Sequence, residues 1–205
     1  LLHYLKQRDE KAALGVDGVS CTVCHQIADE GLGTEATYTG QFKIHEQRVA
    51  IGPYTDPYAM PMQQHAGYLA THGKHILKSA MCGTCHTLIT ETLDPDGTPS
   101  GHQIHEQSAY LEWRNSIYND EVDQPGEHAK SCQACHVPTT DVDGEPIQTQ
   151  VARAPGGQDF PPAKVRSPYG RHTFVGGNTM LAQLLRDNPM ELEVFASKDA
   201  FNATI

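Results

Sequence analysis

The chain has 205 residues, 38% of them hydrophobic and 20% charged, and a formal net charge of −10. An acidic chain with no lysine-rich run is a poor partner for nucleic acid or an anionic membrane surface, and it has no apolar run of about 18 residues to span a bilayer. A mean hydropathy of −0.49, with 18 Gly and 13 Pro, is thin material for a core built from side chains alone, because ordering each residue costs about 1.5 kcal/mol that apolar burial must offset.

Residues 1–14 set Leu1, Leu5 and Leu14 among charges, which predicts a short amphipathic helix broken by Gly15 and Gly18. Cys21-Thr22-Val23-Cys24-His25 follows. Residues 31–52 are Gly-rich, with Tyr38, Phe42, Ile44 and Val49 in partial alternation, and read as a loop with a short hairpin. Pro53, Pro57 and Pro61 then forbid regular structure. Met62, Ala66, Leu69, Gly73, Ile76 and Ala80 recur at three and four, predicting a helix that leads into Cys82-Gly83-Thr84-Cys85-His86. Asp94-Pro95-Asp96-Gly97 is a turn without the later glutamate of a calcium loop. Glu106 to Asn119 reads as helix, with Tyr110, Trp113 and Ile117 on one face. Trp113, the only tryptophan, suits packing better than chemistry. Cys132-Gln133-Ala134-Cys135-His136 comes next. Residues 138–170 form a long irregular segment with a second turn at Asp141-Val142-Asp143-Gly144, and a loop of that length implies cofactor wrapping or function. Asn178 or Thr179 caps a helix carrying Met180, Leu181, Leu184 and Leu185, and Asn188-Pro189 restarts it.

Three copies of C-x-x-C-H therefore use all six cysteines. Two thiols about one helical turn apart can add to the two vinyl groups on one porphyrin edge, and the following histidine then lies beneath the iron. Other readings explain less. A disulfide framework needs no histidine after each pair. Four-coordinate zinc sites take C-x-x-C elements two by two, which leaves one over. A thioredoxin-like pair would be single. The expectation is three covalently attached haem c groups, held by Cys21, Cys24, Cys82, Cys85, Cys132 and Cys135, with His25, His86 and His136 as proximal iron ligands. Their apolar faces would supply the missing core. The expected fold is a single domain over 1–205, mainly α with extensive irregular loops and little or no β-sheet.

Nine further histidines remain, a surplus that suggests bis-histidine ligation, with Met60 and Met62 as alternatives. Helical spacing sets His65 and His72 beside the apolar stripe and turns His75 away from it. His102 and His105 follow a turn and read as solvent-facing. His128, four residues before Cys132, is poorly placed to reach the far face of its own haem but could serve a neighbour's. His172, in a Pro/Gly context before a capped helix, is well placed to point inward.

The chain resembles the multihaem cytochrome c superfamily over nearly its whole length. The resemblance rests on the three haem motifs, Gly18-Val19-Ser20, Gly52-Pro53-Tyr54, the approach from His75 through Ser79 to Cys82, and Glu106-Gln107. It continues with Tyr110-Leu111-Glu112-Trp113, Ser131 through Pro138, and His172 through Asn178. It implies closely packed bis-histidine haems, with His75 and His172 as distal ligands and His65 as a third. It also implies a downstream β-sandwich domain, which would make this chain a piece of a longer protein. Val137 departs from the pattern, since relatives often carry Met there.

The expected function is electron transfer between redox proteins or other cytochromes, rather than catalysis. The alternative is a reductase of a small nitrogen or sulfur oxyanion with one open haem, with Arg166, Tyr169 and Arg171 as donors near His172. A third reading is self-assembly, with ligands shared between chains. Attachment through C-x-x-C-H implies export, to the periplasm or the cell exterior, with a leader removed.

Overall fold

The computed structural model describes residues 19–151, 156–158, 160, 162–174, 179–191, 197–198 and 202. The helix predicted over 1–14 and the cap at Asn178 lie outside them. The chain forms two compact units, Leu1–Glu112 and Trp113–Ile205.

The first unit opens with the single turn α1 (Cys21–Cys24) and a 3-10 turn at Glu35–Thr37. Strand β1 (Val49–Gly52), helix α2 (Met60–Ala66), strand β2 (Leu69–His72) and a second 3-10 turn (Lys74–Leu77) follow. Helix α3 (Ser79–Gly83), strands β3 (Leu88–Leu93) and β4 (Pro99–Gln107), and α4 (Ala109–Arg114) complete it, with the unit boundary inside α4. The second unit holds α5 (Cys132–His136), the short strands β5 (Thr149–Gln150) and β6 (Val165–Arg166), and α6 (Thr179–Asp187).

The fold is not mainly helical. Three two-stranded sheets stand among the described residues, so the expected absence of β-structure is corrected. β1 and β2 pair in parallel, β3 with β4 and β5 with β6 antiparallel. The β3–β4 hairpin has a local cause. Ile89, Thr90 and Thr92 are β-branched and suit a pleated strand. Gly97 at φ +85° lets the chain reverse, and its N–H donates to the Asp94 carbonyl at 2.8 Å. His102 and His105 lie exposed on β4.

The helix expected from Met62 to Ala80 is also corrected. Gly67 stops α2 in the left-handed region (φ +71°), donating its N–H to Gln63 O at 3.2 Å. That is the usual way a helix ends on glycine. The chain then extends into β2, whose register sets Ile51 opposite Thr71 and Gly52 opposite His72. The helix expected over Glu106–Asn119 shrinks to α4. Glu106 and Gln107 belong to β4, and the Ser116 hydroxyl donates to Trp113 O at 2.8 Å. A serine side chain that takes a backbone carbonyl competes with helix continuation. Ile117, expected beside Tyr110, is 65% exposed. Asn188 does not restart α6 but closes it, donating through both its backbone N–H and its side-chain Nδ2 to Leu184 O.

The core of the first unit is small. Ile27, Tyr38, Val49, Ile51, Ile76, Ala80 and Tyr110 are its buried apolar members. Each buried Ile or Val contributes about 1.5–3 kcal/mol. Tyr110 is the centrepiece. Its ring meets Tyr38 edge-on at 6.2 Å, and a Cβ on Gly83 would lie 2.5 Å from its Cδ1. The second unit has Ala163 and Arg166 buried between short strands and loops. Trp113 donates its indole N–H to Lys130 O at 2.8 Å, which fixes the segment leading to α5.

Candidate cofactor site

The first C-x-x-C-H motif occupies α1. Its helical turn sets the thiols of Cys21 (exposed) and Cys24 (half-buried) one turn apart. His25 follows at the helix end and is clasped by β1. Its carbonyl accepts from Ile51 N–H at 2.7 Å, and its Nδ1 lies 2.5 Å from Ile51 O. A carbonyl oxygen only accepts, so Nδ1 carries the proton and the ring's lone pair is on Nε2. A hydrogen bond of this kind fixes the tautomer and orientation of a ligating histidine.

The second motif runs out of α3. Gly83 and Thr84 are buried, Gly83 beneath Tyr110, while Cys85 and His86 are exposed. Two consecutive left-handed residues, Thr39 (φ +59°) and Gly40 (φ +74°), strap it down. Their N–H groups donate to Thr87 O and Thr84 O, both at 2.8 Å. Gly83 fills a position that C-x-x-C-H leaves open, and only glycine fits under the Tyr110 ring there. Burial pushes the Cys24 thiol up, and the nearby thiols of Cys85 and Cys21 add to it.

The third motif is α5 in the second unit. The Ser131 hydroxyl caps it by accepting from Ala134 N–H at 3.1 Å. Cys132 is half-buried, and Cys135 and His136 are exposed. All six cysteines are thiols rather than disulfides.

The distal candidates fall in different settings. His172 is exposed, with Nδ1–H donating to Gly170 O at 3.0 Å and the rings of Tyr169 and Phe174 at 6.3 and 5.9 Å. Its segment docks directly beyond the third motif. Arg171 N–H donates to Pro138 O at 2.9 Å, and a Cβ on Gly170 would lie 2.8 Å from Val137 Cγ1. His65 is exposed on α2, beside the exposed Met60 and Met62. His75 is half-buried, and its Nε2–H donates to the Ile27 carbonyl at 2.9 Å. His128 is exposed, 3.4 Å from Glu127.

Sequence reasoning ranked His72 behind His75. Both ring nitrogens of His72 are sealed from solvent with no hydrogen-bond partner. A buried polar group left unmatched costs about 1–3 kcal/mol. Helical spacing had favoured His65 and His72, but His72 lies on strand β2 rather than on that helix.

Among the described residues, no three His, Cys, Asp or Glu side chains converge into a metal-holding group. A haem does not require one, because the porphyrin supplies four donors and the chain one at each face. None of the helices among the described residues is long and apolar enough to cross a membrane. No family model, curated protein or solved structure matches this chain.

Proposed function

We propose that the chain is an exported multihaem c-type cytochrome that passes electrons between redox partners through three covalently attached haems. One observation carries the reading. C-x-x-C-H occurs three times and consumes every cysteine. The residues present fit such a group. In each motif two thiols sit within about one turn of a short helix or at its end. The Ile51 carbonyl holds His25 in the tautomer an Nε2 ligand needs. Two polar atoms on His72 are buried without partners.

When bound, haem supplies a reversible one-electron couple at iron. The chain supplies the rest. Cys21, Cys24, Cys82, Cys85, Cys132 and Cys135 tether the groups. His25, His86 and His136 serve as the proximal imidazoles. His172 offers an imidazole beside the third motif. The small side-chain core leaves exposed apolar residues such as Val19, Leu77 and Leu93 for a cofactor face to cover. A net charge of −10 suits a cationic redox partner, and the attachment chemistry suits the periplasm or cell exterior.

The test is expression with a c-type maturation system, followed by haem quantitation per chain and intact mass. Three covalent haems per chain are expected. A chain that matures with six titratable thiols and no covalent haem overturns the reading. Carbon monoxide added to the reduced protein separates carrier from reductase. An unchanged spectrum fits a carrier with six-coordinate irons, and a shifted one favours the oxyanion reductase.

A further inference from the structure

We propose that His72, rather than His75, is an axial iron ligand to one of the two haems of the first unit. This rests on the cytochrome reading above and names a ligand for it. A neutral imidazole has one N–H to donate and one lone pair to fill. His72 makes neither bond, although both nitrogens are buried. Such a group is unfavourable unless something absent from the polypeptide satisfies it. An axial bond to iron takes up the lone pair.

His75 is in the opposite condition. Its Nε2–H already donates to Ile27 O. Its remaining nitrogen faces the chain, since a Cβ on Gly73 would lie 3.1 Å from Nδ1 and 2.8 Å from Cε1. Binding iron through Nε2 would break the Ile27 bond. Nδ1 is itself crowded by the Gly73 position. His75 therefore acts as a strut between the Lys74–Leu77 turn and the core residue Ile27.

The position of His72 agrees with a ligand role. Its register partner is Gly52, next to the residue that clasps His25. Paired residues of neighbouring strands share a face, so His72 shares one with Gly52, Ala50 and Ala70. A Cβ added at Gly52 would meet nothing within 4 Å. That face therefore carries an unpartnered imidazole beside a position, Gly52, where an added Cβ would be uncrowded.

The experiment uses the fully matured protein and three variants. With His72→Ala, one more haem per chain than in the parent should become high-spin and bind carbon monoxide, and added imidazole should restore the low-spin spectrum. His75→Gln keeps an N–H for the Ile27 carbonyl, and the number of low-spin haems should stay as in the parent. The reverse pattern, with His75→Gln opening a haem and His72→Ala leaving all as before, overturns the assignment. If His72→Ala does not accumulate, His72→Met decides. Methionine ligation raises the potential, so one of the three haems should shift upward in a redox titration, and an unchanged titration overturns the proposal. If the parent carries no covalent haem, the cytochrome reading itself fails, an outcome separate from either histidine result.

Discussion

His25 and Ile51 hold each other at two points. The histidine carbonyl takes the Ile51 N–H at 2.7 Å, and its ring N–H takes the Ile51 carbonyl at 2.5 Å. This uses the edge of β1 that faces away from β2, so one four-residue strand serves both the sheet and the first C-x-x-C-H motif. Replacing Ile51 with proline deletes the N–H that reaches His25 while leaving the β2 ladder donors in place. Losing one such bond costs about 0.5–1.5 kcal/mol, and the lost apolar burial adds to that. Ile51→Pro is expected to lower the denaturant midpoint of the matured protein. It should also reduce haem occupancy at Cys21 and Cys24, read by peptide mass, more than at Cys132 and Cys135. Equal loss at all three motifs would count against the clasp.

Gly83 gives a sharper test, because a residue inside a C-x-x-C-H motif is also a packing position. A methyl group there would sit 2.5 Å from Cδ1 of a tyrosine that is 2% exposed. The ring cannot yield easily, since a Cβ on Gly33 would lie 2.8 Å from its hydroxyl. Gly83→Ala should therefore destabilise the first unit by about 1–3 kcal/mol, the usual range for overpacking. In the third motif the position equivalent to Gly83 is the half-buried Gln133. Gln133→Ala is expected to change thermal stability far less. Comparable melting shifts in the two variants would show that Tyr110 is not the reason for the glycine.

The two kinds of information were unequally legible in the sequence. The three C-x-x-C-H motifs are legible because their spacing is local to the sequence, and no tertiary contact alters it. The turn at Asp94-Pro95-Asp96-Gly97 was legible for the same local reason, yet the strands on either side were passed over. The parallel pair was harder. β1 and β2 are four residues each and meet across a long connection, so nothing nearby announces them. The stripe from Met62 to Ala80 satisfied helical spacing, but the left-handed Gly67 ended the helix early. That break also moved His72 from a helix face to a strand, where its neighbours are set by Gly52 rather than by His65 or His75.

The acidic turn makes a prediction about pH. Asp96 accepts from both the Thr98 hydroxyl and its N–H, at 2.7 and 3.0 Å, and these bonds hold its carboxyl below the ordinary value of 3.8. A carboxyl with a depressed folded pKa contributes stability above its unfolded pKa and loses it as pH falls through the folded one. The β3–β4 turn should loosen only in that acid window, without change near neutrality. Thr98→Val removes the hydroxyl donor and should move the Asp96 titration, followed by carboxyl NMR, part of the way back toward 3.8. An unmoved titration would mean that the backbone N–H alone sets the shift.

His172 stands beside the third motif because Gly170 and Arg171 pack on Val137 and Pro138. A Cβ at Gly170 would lie 2.8 Å from Val137 Cγ1, so Gly170→Ala must push the two segments apart. If His172 is the distal imidazole in the second unit, His172→Ala should leave one haem able to bind carbon monoxide. Gly170→Ala should do the same to part of the population, with His172 itself intact. Gly170→Ala,Val137→Ala relieves the clash by removing Cγ1 and should return the spectrum toward the parent. That rescue separates positioning from ligation. A His172→Ala protein whose haems all remain closed to carbon monoxide would place His172 in a structural role, held by Gly170 O and flanked by Tyr169 and Phe174.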